Sequence, residues 1–543
     1  MGDNIVMLWN LGWVKYALAH HDSGFWFPNA YYPQGFLFLF STHTWLDGVL
    51  GFAASPLLPR GPEGIVLWAN ITQLFATIAT GLFAMATLRQ WGVKRPQLQL
   101  IGASAVTFCW FRTYAITGHY HFYGTEWMLA ALWAAARSRR LLRAQFIRPA
   151  MRWSLLAGLL IGLTYLNDQT HAVFAAILCV CTLASLQFSR AKPARRHIFI
   201  NLALLAGGSL VLSSIHLIPL LLAIASGKFN YKVAMLDVPR LVDLTSVFVP
   251  PNRHLMGLNA FARLREAHHL TCEEGPYLGA AGYLFLATGI IGSLVAIRQL
   301  SRSRITRLHR VLGATLLGAI FLVFTCGEFL TIGQHNFIML PGRMLRHLPG
   351  INNIRILQRW IWPTQLCLAL AGTLSITFWW AAHLTRLRNL LLLSLAVLFC
   401  AEGKWYPPAD PVDIHSSFLD PPGLVKAIRE NYKSGGVLLM PMEYAYGHAN
   451  HLQLLVGYDI PMTAVYTARA PFDVTRTPWH GTQWTPESAT WLQEHKVGMV
   501  VFPYFEGTTT SSANLKQYAD WISHAKEAVP GLRVLNRSGE SAL

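Results

Sequence analysis

A chain of 543 residues has the length of about three or four soluble domains, but 53% of it is apolar, only 13% is charged and its mean hydropathy is positive. About a quarter of a soluble globular protein is charged, so the composition describes a polytopic α-helical membrane protein. The net charge of +18 does not indicate nucleic acid, because Lys and Arg gather in short loops between apolar segments, which is the pattern of membrane orientation.

The chain opens on a polar stretch, 1–64, in which Ile5, Leu8, Trp9, Trp13 and Tyr16 recur at helical spacing. This predicts an amphipathic helix over 4–20 lying on the membrane surface, with a second over 43–58. Apolar segments then read as spans at roughly 65–88, 98–117, 122–136, 153–166, 172–188, 198–224, 277–297, 311–332, 361–384 and 388–401. Only Asn167 to His171 separates 153–166 from 172–188, so one of that pair is a candidate re-entrant segment.

Alternate connections, from Arg89 to Arg388, hold twenty Lys and Arg and no acid. By the positive-inside rule they are cytoplasmic. Ten spans with both termini outside fit every loop, and the chain is expected in the inner (plasma) membrane. A start at Met1-Gly2-Asp3 inside an external loop implies that one leading helix is missing. Outside lie 1–64, 225–276, 333–360 and 402–543. The last mixes strand-like runs (Val437–Met440, Val497–Phe502) with helical ones (Pro486–His495, Ser512–Glu527) and reads as an extracytoplasmic α/β domain, 402–543, after a transmembrane domain, 1–401. Six of seven cysteines lie in apolar segments, and only Cys272 lies in a polar loop, so no disulfide framework is available.

No phosphate-binding glycine loop, HExxH or GxSxG occurs. His119 and His121, and His268 and His269, lack the acidic or cysteine partners of a zinc cage, and no metal ligand is assigned. Ordered short motifs take their place. Gly2-Asp3 leads into Leu8-Trp9-Asn10-Leu11-Gly12-Trp13, followed by Asn29-Ala-Tyr-Tyr32-Pro33-Gln-Gly35, Thr42-His43-Thr44 and Ser55-Pro56-Leu57. Later come Phe111-Arg112, Gly118-His119 with Glu126-Trp127, Gly275-Pro-Tyr277-Leu278-Gly279, and His347-Leu348-Pro349-Gly350-Ile351 with Arg355 and Arg359. Along nearly its whole length the chain thus resembles the bacterial GT-C glycosyltransferases, and within them a poorly characterised subgroup of integral membrane transferases.

The resemblance implies an enzyme that takes a sugar from a polyprenyl-phosphate donor on the outer face and passes it, with inversion, to a glycan, lipid or protein acceptor. Such enzymes place a catalytic carboxylate in the first external loop just after the first helix, and Asp3 matches that position. Asn4 follows it where some relatives carry a second acid, and the missing first helix is a further departure.

Transfer from a lipid phosphate needs a base for the acceptor hydroxyl and cations for the departing phosphate. Asp3 is the base candidate, against a solvated chain end. Arg112, near the outer end of a span, either meets phosphate or snorkels to the interface. Arg343, Arg346, His347, Arg355 and Arg359 form the densest external basic cluster. Guanidinium groups fork onto phosphate, and anionic headgroups would use the same residues. Lys228, Lys232 and His119 are weaker candidates of that type. Glu126 and Asp168 stand at outer span ends, where they position acceptor or sugar hydroxyls or pair with Arg112, and Glu126 is a substitute base. Glu273-Glu274 reads as a solvated pair. Two rival functions stand: a carrier or flippase for a lipid-linked glycan, disfavoured by nearly charge-free span centres and the lack of repeats, and a non-enzymatic scaffold for envelope assembly.

Overall fold

A computed structural model describes residues 4–40, 44–113, 123–188, 193–226, 242–250, 277–298, 305–333, 335–347, 357–379, 424–439, 452–463 and 486–501, with a few isolated positions besides. In chain order the main elements are α1 (Asn4–Ala19), β1 (Trp26–Phe27), β2 (Phe36–Leu37), α2 (Trp45–Ala53), α3 (Pro62–Trp91), α4 (Pro96–Thr107), α5 (Glu126–Arg143), α6 (Ile147–Asn167), α7 (Gln169–Ala184) and α8 (Arg195–Ala225). They continue with β3 (Val242–Asp243), α9 (Gly279–Arg298), α10 (Ile305–Thr325), β4 (Phe329–Ile332), β5 (His335–Met339), α11 (Ile361–Trp379), α12 (Leu424–Asn431), β6 (Gly436–Leu439), α13 (Pro486–Glu494) and β7 (Val497–Val501).

The protein is mostly helical, and among the described residues four helices are long and apolar enough to cross a membrane: α3, α6, α7 extended to Gln187, and α8. On α3, Leu74, Ile78 and Leu82 are exposed, as are Leu210, Ile218 and Leu222 on α8. Such apolar faces are a liability in water and a favourable surface in lipid. Because α6 and α7 both have spanning length, neither needs to be re-entrant by length and composition.

Two expected spans differ in detail. The segment 98–117 is broken after Thr107, and helix resumes at 110–113. The segment 311–332 leaves helix at Thr325 and finishes as strand β4, which pairs antiparallel with β5 and parallel with β3. The span expected at 388–401 lies almost wholly outside the described residues.

By packing the chain falls into two compact units. The first combines 1–71, 216–234 and 409–543, so the C-terminal segment, expected as a domain from 402, shares a unit with the N-terminal loop. Helix α1 forms as expected, but Val6, Met7, Trp9, Asn10, Leu11, Trp13, Val14 and Ala17 are buried around most of its circumference. It is therefore enclosed by protein and presents no single wet face. Trp13 stacks on Phe27 at 3.8 Å between ring centroids, and Trp9 donates its indole N–H to Gln453 Oε1 at 2.9 Å. The Tyr458 hydroxyl donates to the Trp9 carbonyl at 2.9 Å, and burial pushes its pKa well above the ordinary tyrosine value. Met462 is bridged on one side by Ala30 and on the other by β6, which itself pairs parallel with β7. The Asn29–Gly35 motif thus extends the C-terminal sheet. Helix α2 leaves Leu50 and Phe52 exposed, with Leu57 beyond it.

The second unit comprises 72–215 and 235–408. Small residues let its helices approach closely. A Cβ on Gly158 would collide with the Leu205 carbonyl oxygen, and one on Gly162 would sit 2.6 Å from Leu212 Cβ. This is the close contact that small-xxx-small spacing allows between apolar helices. Ser138, Ser154 and Asn201 tie α5, α6 and α8 together through buried hydrogen bonds of 2.7–3.3 Å.

Candidate functional site

Within the second unit, three segments bring ionisable side chains together: the stretch from Thr107 to Glu126, the junction of α6 and α7, and the entry to α11. Asp168 alone separates α6 from α7 and caps the latter. Its Oδ1 accepts the His171 main-chain N–H at 2.7 Å and lies 3.7 Å from the His171 Nδ1. Asp168 Oδ2 is buried with no hydrogen-bond partner among the described residues, as is Asn167 Oδ1. A native protein seldom strands a buried carboxylate oxygen, so the position calls for water, an ion or a ligand.

Around this pair stand the charges of Arg112 and Arg359, both close enough to act on the His171 imidazole. The His171 ring also meets Trp362 and Phe174, with centroids at 6.2 and 6.3 Å, and the Gly124 main chain. A Cβ on Gly124 would lie 3.0 Å from Asn167 Nδ2 and 3.6 Å from Glu126 Oε2, so this glycine lets Asn167 and the Glu126 carboxylate approach the backbone. Glu126, Asp168, His171 and Arg112 are buried, and Arg359 is half-buried. One carboxylate and two guanidinium groups thus act on one imidazole, and the Glu126 carboxylate lies beside Gly124 and Asn167 next to them, at the ends of apolar helices. Such an arrangement suits proton transfer and the binding of a polar group in a dry setting.

Arg112 is fully buried, so it does not snorkel. Its Nε and Nη2 donate to the Tyr123 carbonyl at 3.2 and 3.1 Å, its Nη1 donates to the Thr107 carbonyl at 2.5 Å, and its guanidinium lies 4.2 Å from the Tyr123 ring centroid. These bonds make it a positioning residue that holds the chain on either side of 114–122. The Thr107 carbonyl is the one that an unbroken helix would offer to the N–H of Phe111, which accounts for the break in the expected span.

Arg343 is exposed in the 3₁₀ helix Pro341–His347, with Nη1 3.3 Å from Met339 Sδ and its guanidinium 5.7 Å from the Phe329 ring centroid. Arg346 and His347 lie in the same helix, and their side chains are outside the described set, as are Asp3, His119, Lys228, Lys232 and Arg355. Among the described residues no group of three His, Cys, Asp or Glu side chains is arranged to hold a metal. His171, Asn167, Tyr123 and Trp362 were not singled out in the sequence. The signal for His171 was its i,i+3 spacing from Asp168 at a helix start, which sets both on one face.

No family model and no curated protein matches this chain. Among solved structures it is similar to the archaeal oligosaccharyltransferase AglB of Archaeoglobus fulgidus, solved in complex with an inhibitory peptide and a dolichol-phosphate, at 12% identity and a TM-score of 0.47 over 92% of this chain and 65% of that one. It is also similar to the Archaeoglobus fulgidus oligosaccharyltransferase in complex with Zn and sulfate, at 12% identity and a TM-score of 0.46 over 91% of this chain and 63% of that one. The chain therefore spans a little under two thirds of the length of these two proteins.

Proposed function

We propose that the protein is a GT-C-type membrane glycosyltransferase that moves a sugar from a polyprenyl-phosphate donor to an extracytoplasmic hydroxyl with inversion. The order and spacing of the motifs from Gly2-Asp3 to Arg359 support this reading. The structural observation that carries it is the buried Asp168–His171 pair, with Asp168 Oδ2 without a hydrogen-bond partner among the described residues, Arg112 and Arg359 acting on the imidazole and Glu126 beside the adjoining Gly124, at the ends of apolar helices.

In the reaction the acceptor oxygen attacks the anomeric carbon and the bond from that carbon to the phosphate oxygen breaks. Polyprenyl phosphate leaves with the electron pair, while the acceptor proton passes to a carboxylate. Asp3 is the first candidate for that base, on the resemblance, with Glu126 and Asp168 next. Arg359, with Arg346 and Arg355, is assigned to the phosphate, and Arg112 to shaping the backbone beside it. Lys228, Lys232, Arg343, His119 and His347 are secondary candidates for the same anion.

The test is release of polyprenyl phosphate from a panel of polyprenyl-phosphate sugars by the full chain in liposomes. A positioned base contributes about 10²–10⁴-fold, so Asp3→Asn should lose that much turnover while still binding donor. If Asp3→Asn, Glu126→Gln and Asp168→Asn each release polyprenyl phosphate as fast as the parent, none of these carboxylates is the base. If the parent moves the intact donor across the bilayer without releasing phosphate, the protein is a carrier.

A further inference from the structure

A second feature of a different kind runs along α5 from Leu129 to Arg143, with its basic end at the opposite end of the helix from Glu126. A cavity of about 480 Å³ opens among α3, α4, α5, α7, α10 and α11. That size falls within the few hundred to about a thousand Å³ of small-ligand sites. Its lining is apolar except at one end, where Arg139, Arg143 and Arg310 meet, and among the described residues no Asp or Glu lines it. Arg139 and Glu126 are thirteen residues apart on one helix, about 20 Å at 1.5 Å per residue, so this is not the Asp168 cluster.

Arg139 is more than nine-tenths buried. Its Nε donates to Ser185 Oγ at 2.7 Å and its guanidinium lies 4.8 Å from the Trp91 ring centroid. Its two terminal nitrogens have no hydrogen-bond partner among the described residues, and Arg143 and Arg310 are near enough to repel its charge. The basic loops on this side hold twenty Lys and Arg without one acid, so they offer no compensating carboxylate. Arg310 donates to the Trp91 carbonyl at 2.6 Å, and three guanidinium groups, Arg143 and Arg310 half-buried, gathered at one end of an otherwise apolar cavity suit an anion from outside the chain. The rest of the lining calls for hydrocarbon. Leu316 and Ile320, which border the cavity on α10, are more than half exposed, so its apolar end opens onto the face that meets lipid tails.

We propose that this cavity binds one anionic phospholipid from the leaflet facing the basic loops, its phosphate held by Arg139, Arg143 and Arg310 and an acyl chain lying along Leu316, Ile320 and Leu370. The site is separate from the transferase reading and stands whether or not that reading holds. A polyprenyl-phosphate sugar with its phosphate held here would lie about 20 Å along α5 from Glu126, too far for that carboxylate to reach its sugar.

The experiment follows thermal unfolding of the full chain in detergent as phosphatidylglycerol, phosphatidylcholine of the same acyl chains, glycerol phosphate or polyprenyl phosphate is added. Phosphatidylglycerol should raise the midpoint well above the other three. Arg143→Gln should need about 10–100-fold more phosphatidylglycerol for the same rise, the worth of one charge-assisted hydrogen bond. Gly313 lines the cavity, and a Cβ there meets nothing within 4 Å, so Gly313→Leu fills the space while favouring the helix. It should abolish the rise without lowering the lipid-free midpoint. Equal shifts with the two phospholipids overturn the proposal, as does an equal shift with glycerol phosphate alone. So does a stronger response to polyprenyl phosphate, or a phosphatidylglycerol response unchanged in Arg143→Gln. Should Gly313→Leu unfold early, the Arg143→Gln comparison decides.

Discussion

The Asp168 carboxylate accepts the main-chain N–H of His171 at 2.7 Å, and its same oxygen lies 3.7 Å from the imidazole Nδ1. One oxygen thus starts helix α7 and orients the histidine, while the other is buried without a hydrogen-bond partner among the described residues. A carboxylate needed only as a cap has no reason to keep that second oxygen dry.

Substitution at Asp168 separates the two roles. Asparagine caps a helix about as well as aspartate, so Asp168→Asn should change the unfolding free energy by no more than about 0.5 kcal/mol, whereas Asp168→Ala should cost about 1 kcal/mol or more. If the carboxylate serves the proposed transfer, both variants lose turnover to a similar degree. Stability tracked by thermal unfolding and turnover tracked by phosphate release would then diverge for Asp168→Asn. Full activity in that variant would leave Asp168 as a cap alone.

The joining of the chain's two ends makes a second prediction. Buried Gln453 accepts from Trp9 Nε1 and donates to the carbonyls of Asn29 and Ile460, each at about 3.0 Å. Gln453→Leu leaves the Trp9 indole N–H and the Ile460 carbonyl unsatisfied, at about 1–3 kcal/mol each, while the Asn29 carbonyl keeps the Met462 N–H at 2.8 Å. Gly12→Ala should also destabilise, because a Cβ there collides with the Tyr458 hydroxyl, and overpacking of this kind costs about 1–3 kcal/mol. Limited proteolysis should cut both variants in 452–463 faster than the parent. Cleavage at the parental rate would mean that α1 is not held there.

Much of this architecture is legible in the sequence, and the illegible parts have specific causes. Helices α3, α6, α7 and α8 follow directly from apolar length, and Asp168 before an apolar run is an ordinary helix-start signal. The burial of α1 is not legible, because the residues that cover it, Gln453 and Tyr458, come from more than 440 positions away. Trp9 and Trp13 look the same to a periodicity argument whether lipid or protein surrounds them. The break after Thr107 falls among apolar residues that read as continuous helix, since its cause is a side chain, Arg112, bonding backward to a carbonyl. At the site, residue types were legible and convergence was not: Asp168, Glu126, Arg112 and Arg359 come from segments up to 247 positions apart.

Orientation gives a third prediction. If the acid-free loops face the cytoplasm, a reporter fused after Leu543 should be active only outside, since the positive-inside bias is set by just such short loops. Cytoplasmic activity of that fusion would reverse the sidedness and, with it, the leaflet from which Arg139 and Arg143 draw their lipid.

The two arginines near His171 should respond differently to substitution. Arg112 grips the carbonyls of Tyr123 and Thr107 with three donors, a fork that lysine's compact ammonium cannot reproduce. Arg112→Lys should therefore lower stability by about 2–3 kcal/mol, the loss of charge-assisted hydrogen bonds in a buried setting. Turnover should fall through displacement of the backbone on either side, with no selective change in donor affinity. Arg359 is half-buried at the entry to α11 and is assigned to the donor phosphate. Arg359→Gln should keep the unfolding midpoint near that of the parent and raise the KM for polyprenyl-phosphate sugar about 10–100-fold, with a smaller change in kcat, as expected when a contact present in both ground and transition states is lost. Parallel thermal unfolding and initial-rate measurements on the two variants distinguish the roles. If Arg359→Gln unfolds as early as Arg112→Lys and leaves the donor KM untouched, Arg359 is a structural partner of the Asp168–His171 pair and the phosphate must be held elsewhere, with Arg346 and Arg355 the next to test.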